Sequence, residues 1–305
     1  MTWRTSDIPD LAGTTVVITG ANSGIGLAAA EQLATHGAAV TLAVRDRVRG
    51  QAAAQRIEPL ATGQVEVAQL DLADLASIRD FAKSWSDRHP DGLDVLVNNA
   101  GVMAIPRRQT VDGFEMQLGT NHLGHFALTG LLADSLNPDA RVVTVSSGAH
   151  RFGRLNFEDL QSERGYQKWR AYGQSKLANI LFCLELHRRA TRAGVPVRSI
   201  GVHPGYAATN LQRVGPEMSG DRISGFVVGL ANRFLAQSAE AGAWPTLMAA
   251  TDPGVPGGSF LGPTQWRGQR GAPGYETPSD AARDPEAARR LWEESSRLTG
   301  VTFPW

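Results

Sequence analysis

A tyrosine and a lysine four residues apart, Tyr172 and Lys176, have the clearest potential for chemistry in this chain. The apolar residues that follow recur at helical spacing: Leu177, Ile180, Leu181 and Leu184. This spacing predicts a helix with the pair on one face, one turn apart. Lowering a phenol pKa from about 10 to neutrality requires about 4 kcal/mol, which a positive charge about 4 Å away supplies at an effective dielectric constant near 20. The pair is therefore a candidate proton donor and acceptor near pH 7, although the same spacing is more often a surface stack.

A glycine-rich turn near the N-terminus joins a predicted strand to a predicted helix. Residues 14–19 form a β-branched apolar run, typical of a buried parallel strand. Gly20-Ala-Asn-Ser-Gly-Ile-Gly26 follows directly, and a helical stretch begins at Leu27. Backbone N–H groups in such a turn, with the helix dipole, bind a pyrophosphate. The alternative is a tight turn without a ligand.

The second predicted strand, residues 38–44, runs into Arg45-Asp46-Arg47. An acid at this strand end binds adenosine ribose hydroxyls, whereas an arginine suits the extra phosphate of NADP. We interpret Arg45 as the phosphate-binding residue, because a guanidinium matches phosphate geometry. In the alternative, Asp46 caps the helix predicted over 47–58 and both arginines lie in solvent.

Further strand ends carry small or polar residues, where open α/β sheets bind ligands. The predicted strands are 65–70, 93–97, 141–145, 197–202 and a last one over 257–261, and the first four end near Asp71, Asn98, Ser147 and Pro204. The Ser146-Ser147 hydroxyls are candidates to bind a substrate oxygen. They are not a nucleophile elbow, since G-x-S-x-G is absent.

A helix predicted over 114–136 contains His122 and His125, but no third ligand of matching spacing is evident, so no metal is expected. Asn121 is a poor residue for a helix interior, and we expect it to interrupt the helix and bind water or a neighbour. The single cysteine, Cys183, lies among apolar helical residues and is interpreted as a core residue.

Composition and element order indicate one α/β domain over residues 1–305, with a doubly wound parallel sheet of about seven strands and helices on both faces. Thirty basic and thirty acidic residues give a net charge of zero, which does not favour nucleic-acid binding. With no apolar leader or membrane-length run, a soluble cytoplasmic protein without a membrane anchor is expected. Residues 206–236 have the composition of a substrate lid or of an ordinary loop excursion. Residues 262–305 are predicted to form a Gly/Pro-rich loop (262–283) followed by a helix (285–298).

Together, the motifs resemble the short-chain dehydrogenase/reductase family over about residues 10–262. The motifs are Thr19-Gly20-Ala-Asn-Ser-Gly-Ile-Gly26, Asp71-Leu72, Asn98-Asn-Ala-Gly101, Asn121, Val145-Ser-Ser147, Tyr172-Gly-Gln-Ser-Lys176 and Pro204-Gly205. Within that family, the sequence most resembles the retinol dehydrogenase and WW-domain oxidoreductase branch. Asn121-His-Leu-Gly-His-Phe, Ser146-Ser-Gly-Ala-His150 and Ala43-Val-Arg-Asp46 carry that likeness.

The resemblance implies a Rossmann-like core over residues 10–205 and four catalytic residues. Tyr172 is the implied general acid/base, and Lys176 is implied to bind the nicotinamide ribose and lower the tyrosine pKa. Ser147 is implied to polarise the substrate oxygen, and Asn121 to hold a water in a proton relay. The implied cofactor-binding residues are Gly20, Asn22, Ser23, Gly24, Ile25, Gly26, Arg45, Asp71, Leu72, Asn98, Ala100, Gly101, Tyr172, Lys176, Pro204, Gly205 and Thr209.

The implied activity is hydride transfer between NADP(H), favoured over NAD(H), and a carbonyl or alcohol substrate. The NADP preference depends on Arg45, since the glycine loop lacks a basic residue. Candidate pocket aromatics, which are equally candidates for core packing, indicate an apolar or aromatic substrate: Trp169, Tyr206, Phe226, Phe234 and Trp266. A homodimer or homotetramer through the tyrosine-bearing helix is also implied. The alternatives are a non-catalytic NADP(H)-binding sensor or scaffold, which commonly lacks the Tyr or Lys, and a sugar-nucleotide epimerase, which Asn98-Asn-Ala-Gly101 disfavours.

Overall fold

A single sheet forms the centre of the computed structural model, which describes residues 3–205, 238–266 and 268–305. Its strands are β1 (Thr15–Thr19), β2 (Ala39–Val44), β3 (Val65–Gln69), β4 (Leu93–Asn98), β5 (Leu136–Val145), β6 (Arg198–Val202), β7 (Phe260–Gln265) and β8 (Arg270–Tyr275). The order within the described residues is β3-β2-β1-β4-β5-β6-β7-β8, with β1 to β7 parallel and β8 antiparallel. The predicted doubly wound parallel sheet is confirmed. The expected lid, 206–236, and Thr209 lie outside the described residues.

Helices cover both faces of the sheet, as expected from the sequence. They are α1 (Gly24–Thr35), α2 (Arg47–Ile57), α3 (Leu75–Arg88), α4 (Met116–Leu118), α5 (Gly124–Leu131), α6 (Lys168–Ala193), α7 (Ala239–Thr251) and α8 (Pro285–Thr299). One apolar cluster joins the sheet to α1, α2 and α7, and a second joins it to α3, α5 and α6. None of the helices in the described residues has both the length and the apolar character of a membrane span.

The side of the sheet to which successive strands are added changes between β1 and β4. Strands β2 and β3 continue outward from β1, whereas β5, β6 and β7 continue outward from β4. At such a switch point the loops that leave the carboxyl ends diverge and open a crevice. The glycine turn after β1 and the Asn98-Asn99 segment at the end of β4 therefore meet at one edge of the sheet.

Strand β8 corrects the prediction that residues 262–283 form only a loop. Pro263 of β7 pairs with Pro273 of β8, beyond the short stretch in which β7 pairs with β6. Proline removes a ladder donor and is tolerated mainly at sheet edges. The glycines and prolines that suggested a loop are therefore compatible with an antiparallel edge hairpin.

The helix predicted over 114–136 is interrupted, as the position of Asn121 indicated. Helices α4 and α5 are joined by a π-helical turn, Gly119–Leu123, which contains Asn121. Such turns are single-residue widenings of an α-helix and occur often at functional sites. The segment ends at Leu131, and β5 begins at Leu136, earlier than the predicted start at Arg141.

Helix α6 is buried along nearly its whole circumference within one chain. Between residues 177 and 190, Arg188 alone is exposed, because α8 packs against the side of α6 that faces away from the sheet. Trp292 of α8 stacks on Phe182 of α6 at 5.9 Å, and the Arg189 guanidinium lies 4.6 Å from the Trp292 ring centroid. The implied pairing of subunits through this helix stays a prediction.

We expect Trp292→Ala to lower the free energy of unfolding by about 3–5 kcal/mol, since it leaves a cavity among buried rings. Phe126 and Phe303 also contact the indole, at 5.1 and 4.5 Å between ring centroids. Denaturant titration followed by circular dichroism measures the change. Trp266→Ala is the matched control, because Trp266 is 72% exposed, and should change stability by less than about 0.5 kcal/mol. Equal effects of the two substitutions would contradict the assignment of α8 to the core.

Candidate active site

A cleft of about 1200 Å³ opens at the carboxyl edge of the sheet. The predicted site residues that line it are Gly20, Asn22, Ser23, Gly24, Ile25, Gly26, Arg45, Asp71, Leu72, Ala100, Gly101, Ser147, Tyr172, Lys176, Pro204 and Gly205. Two predicted residues in the described part of the chain, Asn98 and Asn121, are not in the lining. Residues widely separated in sequence therefore converge on one site.

The glycine turn presents the start of α1 to the cleft. Ser23 is the N-cap of α1, but its side chain makes no capping hydrogen bond. The N–H groups of the first helical turn are thus available, and the helix dipole adds positive potential there. These features fit a pyrophosphate, which is the group that a dinucleotide cofactor places at this position of the fold.

Asn99, rather than Asn98, contributes a side chain to the cleft wall. The Asn98 amide N–H₂ donates to Thr129 Oγ1 at 3.0 Å inside the core, so its side chain does not reach the cleft. The Asn99 amide N–H₂ donates to the Thr19 carbonyl at 2.7 Å. A Cβ at Gly26 would lie 2.4 Å from Asn99 Nδ2, so the glycine permits close packing of α1 at this point.

At the far end of the cleft, Arg45 and Arg49 both contribute to the lining. Asp46 is the N-cap of α2, and its carboxylate accepts from the Arg49 N–H at 3.1 Å. Among the described residues, neither guanidinium is in an ion pair. Asp46 therefore caps α2, as the alternative interpretation predicted. Arg45 nevertheless lines the cleft, as does Arg49. Arg49 was not predicted from the sequence. Arg45 precedes α2, so no helical spacing relates the two arginines, and the position of Arg49 depends on how α2 is rotated against the sheet.

Asn121 is fully buried beside α6 and fixes the chain around it. Its Oδ1 accepts from the Val102 N–H at 2.7 Å, and its N–H₂ donates to the Val102 carbonyl at 2.9 Å. The same amide donates to Ser175 Oγ at 2.9 Å, and Ser175 donates to the Tyr172 carbonyl at 2.8 Å. The π turn thus supports the segment of α6 that carries Tyr172.

The two serines after β5 have different partners. Ser146 Oγ donates to the Lys176 carbonyl at 2.7 Å, which fixes that hydroxyl inside the protein. Ser147 caps a short 3₁₀ turn, Gly148–Arg151, and its Oγ accepts from the Ala149 N–H at 3.2 Å. This contact does not use the Ser147 hydroxyl proton, which can be donated to Tyr172 or to a substrate oxygen. Of the pair, Ser147 is therefore the better candidate to donate to a substrate oxygen.

The tyrosine and lysine lie together, but burial dominates their acidity. Burial raises the pKa of Tyr172 to about 12, although a hydrogen bond with Ser147 acts in the opposite direction. Burial also lowers the pKa of Lys176 to about 8. The ammonium lies 5.8 Å from the Tyr172 ring centroid and donates to the Val145 carbonyl at 3.2 Å. The expectation of a lowered tyrosine pKa was wrong, because burial of both groups outweighs the charge of Lys176. Tyr172 is therefore a neutral proton donor at pH 7.

Apolar side chains surround the entrance beside Tyr172. Phe152 and Trp169 line the cleft and are 55% and 45% exposed, and Met103 lies in the same wall. Trp169 meets the Tyr172 ring edge-on at 6.2 Å. Trp266, another candidate pocket aromatic, is not part of the lining.

The two histidines near Asn121 have separate protein partners. His122 Nε2 lies 2.8 Å from Ser295 Oγ, and His125 Nδ1 donates to the Asn121 carbonyl at 3.0 Å. The other nitrogen of His125 lies 2.9 Å from Thr19 Oγ1. No group of three metal-ligating side chains occurs in residues 3–205, 238–266 and 268–305. Cys183 is buried, and burial raises its pKa to about 12, which leaves the thiol protonated.

Comparison with known proteins supplies the deciding observation. A family model described as short chain dehydrogenase matches residues 14–219, which include the glycine turn, Asn121, Ser147, Tyr172 and Lys176. The chain belongs to the short-chain dehydrogenase family. It is therefore an NAD(P)-dependent oxidoreductase that acts on alcohol or carbonyl groups.

Within the short-chain dehydrogenases, the chain belongs to the branch that resembles retinol dehydrogenases. It is 42% identical to human retinol dehydrogenase 13 over 301 residues, which cover 96% of this chain and 87% of that protein. It is 43% identical to human retinol dehydrogenase 11 over 297 residues, with coverages of 95% and 87%. A mouse polyprenol dehydrogenase is 40% identical over 310 residues, with coverages of 98% and 88%.

Solved structures share the fold of this short-chain dehydrogenase. An uncharacterized protein from Mycobacterium Paratuberculosis is 47% identical with a TM-score of 0.84, and the match covers all of both chains. An NAD(P)-dependent gluconate 5-dehydrogenase from Beutenbergia cavernae, solved with bound NADP, is 26% identical with a TM-score of 0.61, over 80% of this chain and 91% of that one.

Buried histidines make the stability of this dehydrogenase depend on pH. Burial lowers the pKa of His122 to about 3 and those of His125 and His150 to about 4, from an ordinary 6.5. Below pH 6.5 these histidines are protonated in the unfolded chain but stay neutral in the native state. The free energy of unfolding therefore decreases as the pH falls toward 4. We expect a loss of about 3 kcal/mol per imidazole by pH 4, measured by denaturant titration at several pH values. The variant His122→Gln should have a shallower pH slope, and an unchanged slope would contradict the assignment.

Proposed function

We propose that this protein transfers a hydride between NADP(H) and the carbonyl or alcohol group of an apolar small molecule, with Tyr172 as the general acid/base. The observation that carries the proposal is the convergence of Ser147, Tyr172 and Lys176 on a cleft whose other end is the uncapped start of α1. A cofactor that spans the cleft would bring the chemistry of hydride donation or acceptance to that catalytic end.

Tyr172 and Ser147 act on the substrate oxygen. Because burial keeps Tyr172 protonated at neutral pH, its hydroxyl donates a proton to the oxygen as a carbonyl is reduced. The Ser147 hydroxyl donates a second hydrogen bond to the same oxygen and holds it in place. Both donors stabilise negative charge that grows on that oxygen, which is where fixed donors contribute most to rate.

Lys176 and Asn121 support the proton donor from behind. At a pKa of about 8, most of Lys176 is charged at pH 7, and its ammonium stabilises the tyrosinate left after proton transfer. Asn121 holds α6 through Ser175, and in the proposal it also holds the water that returns a proton to Tyr172. Fixing these groups before substrate binds removes reorganisation from the reaction.

Two observations support NADP(H) over NAD(H). Arg45 and Arg49 lie in the cleft wall beyond β2, where a 2′-phosphate would be bound, and Asp46 is engaged as the cap of α2. A guanidinium pair binds phosphate well, whereas a capping carboxylate is less available to ribose hydroxyls. The Beutenbergia cavernae relative, 26% identical, was solved with NADP.

The entrance supports an apolar substrate. Phe152, Trp169 and Met103 place aromatic and thioether surface beside the proton donor, and partly exposed rings of this kind gain by covering apolar ligand. Two relatives at 40% identity or more are named for retinol and polyprenol, which are alcohols on hydrocarbon chains. The proposed class is therefore an alcohol or carbonyl on an apolar or aromatic skeleton.

The proposal is tested by fluorescence titration of NADPH and NADH, followed by a panel of carbonyl compounds read at the nicotinamide absorbance. We expect tighter binding of NADPH and turnover of apolar carbonyls. Cofactor binding without turnover of any carbonyl or of the matching alcohols would favour the non-catalytic sensor instead. Failure to bind either cofactor would overturn both.

A further inference from the structure

Glu276, which directly follows β8, joins two chain segments that border the catalytic end of the cleft. Its Oε2 lies 3.3 Å from Arg151 Nη2, and its Oε1 lies 3.1 Å from His203 Nε2. Arg151 ends the 3₁₀ turn that Ser147 caps, and His203 directly precedes the Pro204-Gly205 segment of the cleft wall. One carboxylate from outside the cleft thus holds both segments.

The contact with His203 is built into the fold. The imidazole is buried and stacks on Phe260 at 5.4 Å. Its Nδ1 accepts from the Gly205 N–H at 3.2 Å, which leaves the Nε2 side for Glu276. A Cβ at Gly262 would lie 2.1 Å from His203 Nε2 and 2.8 Å from Glu276 Oε1. Strand β7 therefore provides room for this pair only because position 262 lacks a side chain.

A second tie holds the Ser147 turn to the same C-terminal segment. His150 is buried, and its Nδ1 donates to the Ser147 carbonyl at 2.7 Å. Its Nε2 accepts from the Ser279 N–H at 3.3 Å, which requires a neutral ring. Burial lowers the pKa of His150 to about 4 and keeps it neutral. The residues from 276 to 279 therefore hold the turn through Arg151 and through His150.

The Glu276 carboxylate is suited to this role. Burial by itself would raise its pKa, but the contacts with His203 and Arg151 outweigh burial and lower it. The carboxylate is therefore ionised at neutral pH, and charge-assisted contacts of this kind are stronger than neutral ones. Glu276 lies outside residues 14–219, which match the family model.

We propose that Glu276 is a positioning residue: it fixes the Ser147 turn and the His203-Pro204-Gly205 segment relative to each other, so that the Ser147 hydroxyl stays aimed at the substrate oxygen beside Tyr172. This inference rests on the proposed function. Glu276 does not line the cleft, so it acts through Arg151, His203 and the main chain. Misplacement of a catalytic group by about 1 Å can lower turnover by two orders of magnitude.

The test compares Glu276→Ala, Glu276→Gln and Arg151→Ala with wild type, for kcat on a carbonyl from the panel, NADPH affinity and amide hydrogen exchange at residues 149–153. We expect Glu276→Ala to lower kcat by about tenfold or more and to speed this exchange, with NADPH affinity within about twofold of wild type. Glu276→Gln keeps the shape of the side chain and an oxygen beside His203 Nε2, and it should recover most of the rate. Arg151→Ala removes one of the two ties of Glu276, keeps the contact with His203 and should have a smaller effect.

Glu158→Ala is the matched control, since Glu158 pairs with Arg290 at 3.5 Å on the exposed surface, and it should leave all three measurements unchanged. Wild-type kcat and wild-type exchange in Glu276→Ala would overturn the inference. An equal loss of kcat in Glu276→Ala and Glu276→Gln, with NADPH affinity lost in parallel, would also overturn it and indicate a purely structural role. If wild type turns over no carbonyl, the proposed function fails, and the exchange rates alone decide on the role of Glu276.

Discussion

Tyr172→Phe is expected to bind NADPH with wild-type affinity and to lose turnover by about a thousandfold, within the range of general acid–base catalysis. The substitution removes one oxygen atom and keeps the ring that packs against Trp169. The pKa of Tyr172 is about 12, so the oxygen carries its proton at pH 7, and the substitution removes that proton. Steady-state kinetics and NADPH fluorescence titration measure the two effects separately.

Tyr275→Phe makes the same chemical change at a tyrosine outside the cleft lining. Its ring is 58% exposed, and its hydroxyl lies 3.4 Å from the Gly254 carbonyl. We expect this variant to match wild type in both assays. Turnover by Tyr172→Phe at the wild-type rate would refute the acid/base assignment, and a loss of NADPH binding in that variant would show that the ring mainly serves the cofactor.

Removing the two cleft arginines is expected to abolish the preference for NADPH. In Arg45→Ala and Arg49→Ala, NADPH affinity should fall by about tenfold each, since a charge-assisted hydrogen bond to phosphate contributes about 1.5–3 kcal/mol. NADH lacks the 2′-phosphate and should bind with unchanged affinity. Paired titrations of both cofactors give the ratio directly.

Arg47→Ala is the control for general electrostatics, because Arg47 begins the same helix and is exposed but does not line the cleft. It should change the NADPH to NADH ratio by less than about twofold. Equal losses for both cofactors in Arg45→Ala would place this residue at the adenosine rather than at the phosphate. An effect of Arg47→Ala as large as that of Arg45→Ala would indicate only a long-range field, which added salt would screen.

Local patterns were sufficient for the strands and helices that position the site. The β-branched run before Gly20 predicted β1 to within a residue, because buried parallel strands are continuous apolar segments. The third strand was also predicted to within a residue, although β3 is only partly buried and contains Glu66 and Gln69. The helical spacing after Lys176 predicted α6. Strand β8 was missed because its pairing with β7 is decided by the tertiary position of an edge hairpin, which the glycines and prolines of the segment obscure.

Side-chain direction and acidity depended on contacts that the sequence does not show. Asn98 and Asn99 are adjacent and chemically identical, but only one side chain reaches the cleft, because neighbouring residues leave a strand toward opposite faces. The place of Arg49 depends on how α2 is rotated against the sheet. The pKa of Tyr172 depends on burial by several distant segments, and a calculation with Lys176 alone gave the opposite direction.

Because α6 is enclosed by the sheet and by α8, few substitutions are tolerated around Tyr172. Many more are tolerated at the cleft entrance. Substitutions at buried positions such as Leu177 or Phe182 cost about 2–5 kcal/mol, a large part of a protein's net stability. Phe152 and Trp169 are half exposed, and exchanging them costs far less. Single substitutions at the entrance can therefore change the proposed substrate contacts at little cost in stability, whereas substitutions at the buried positions around Tyr172 cannot.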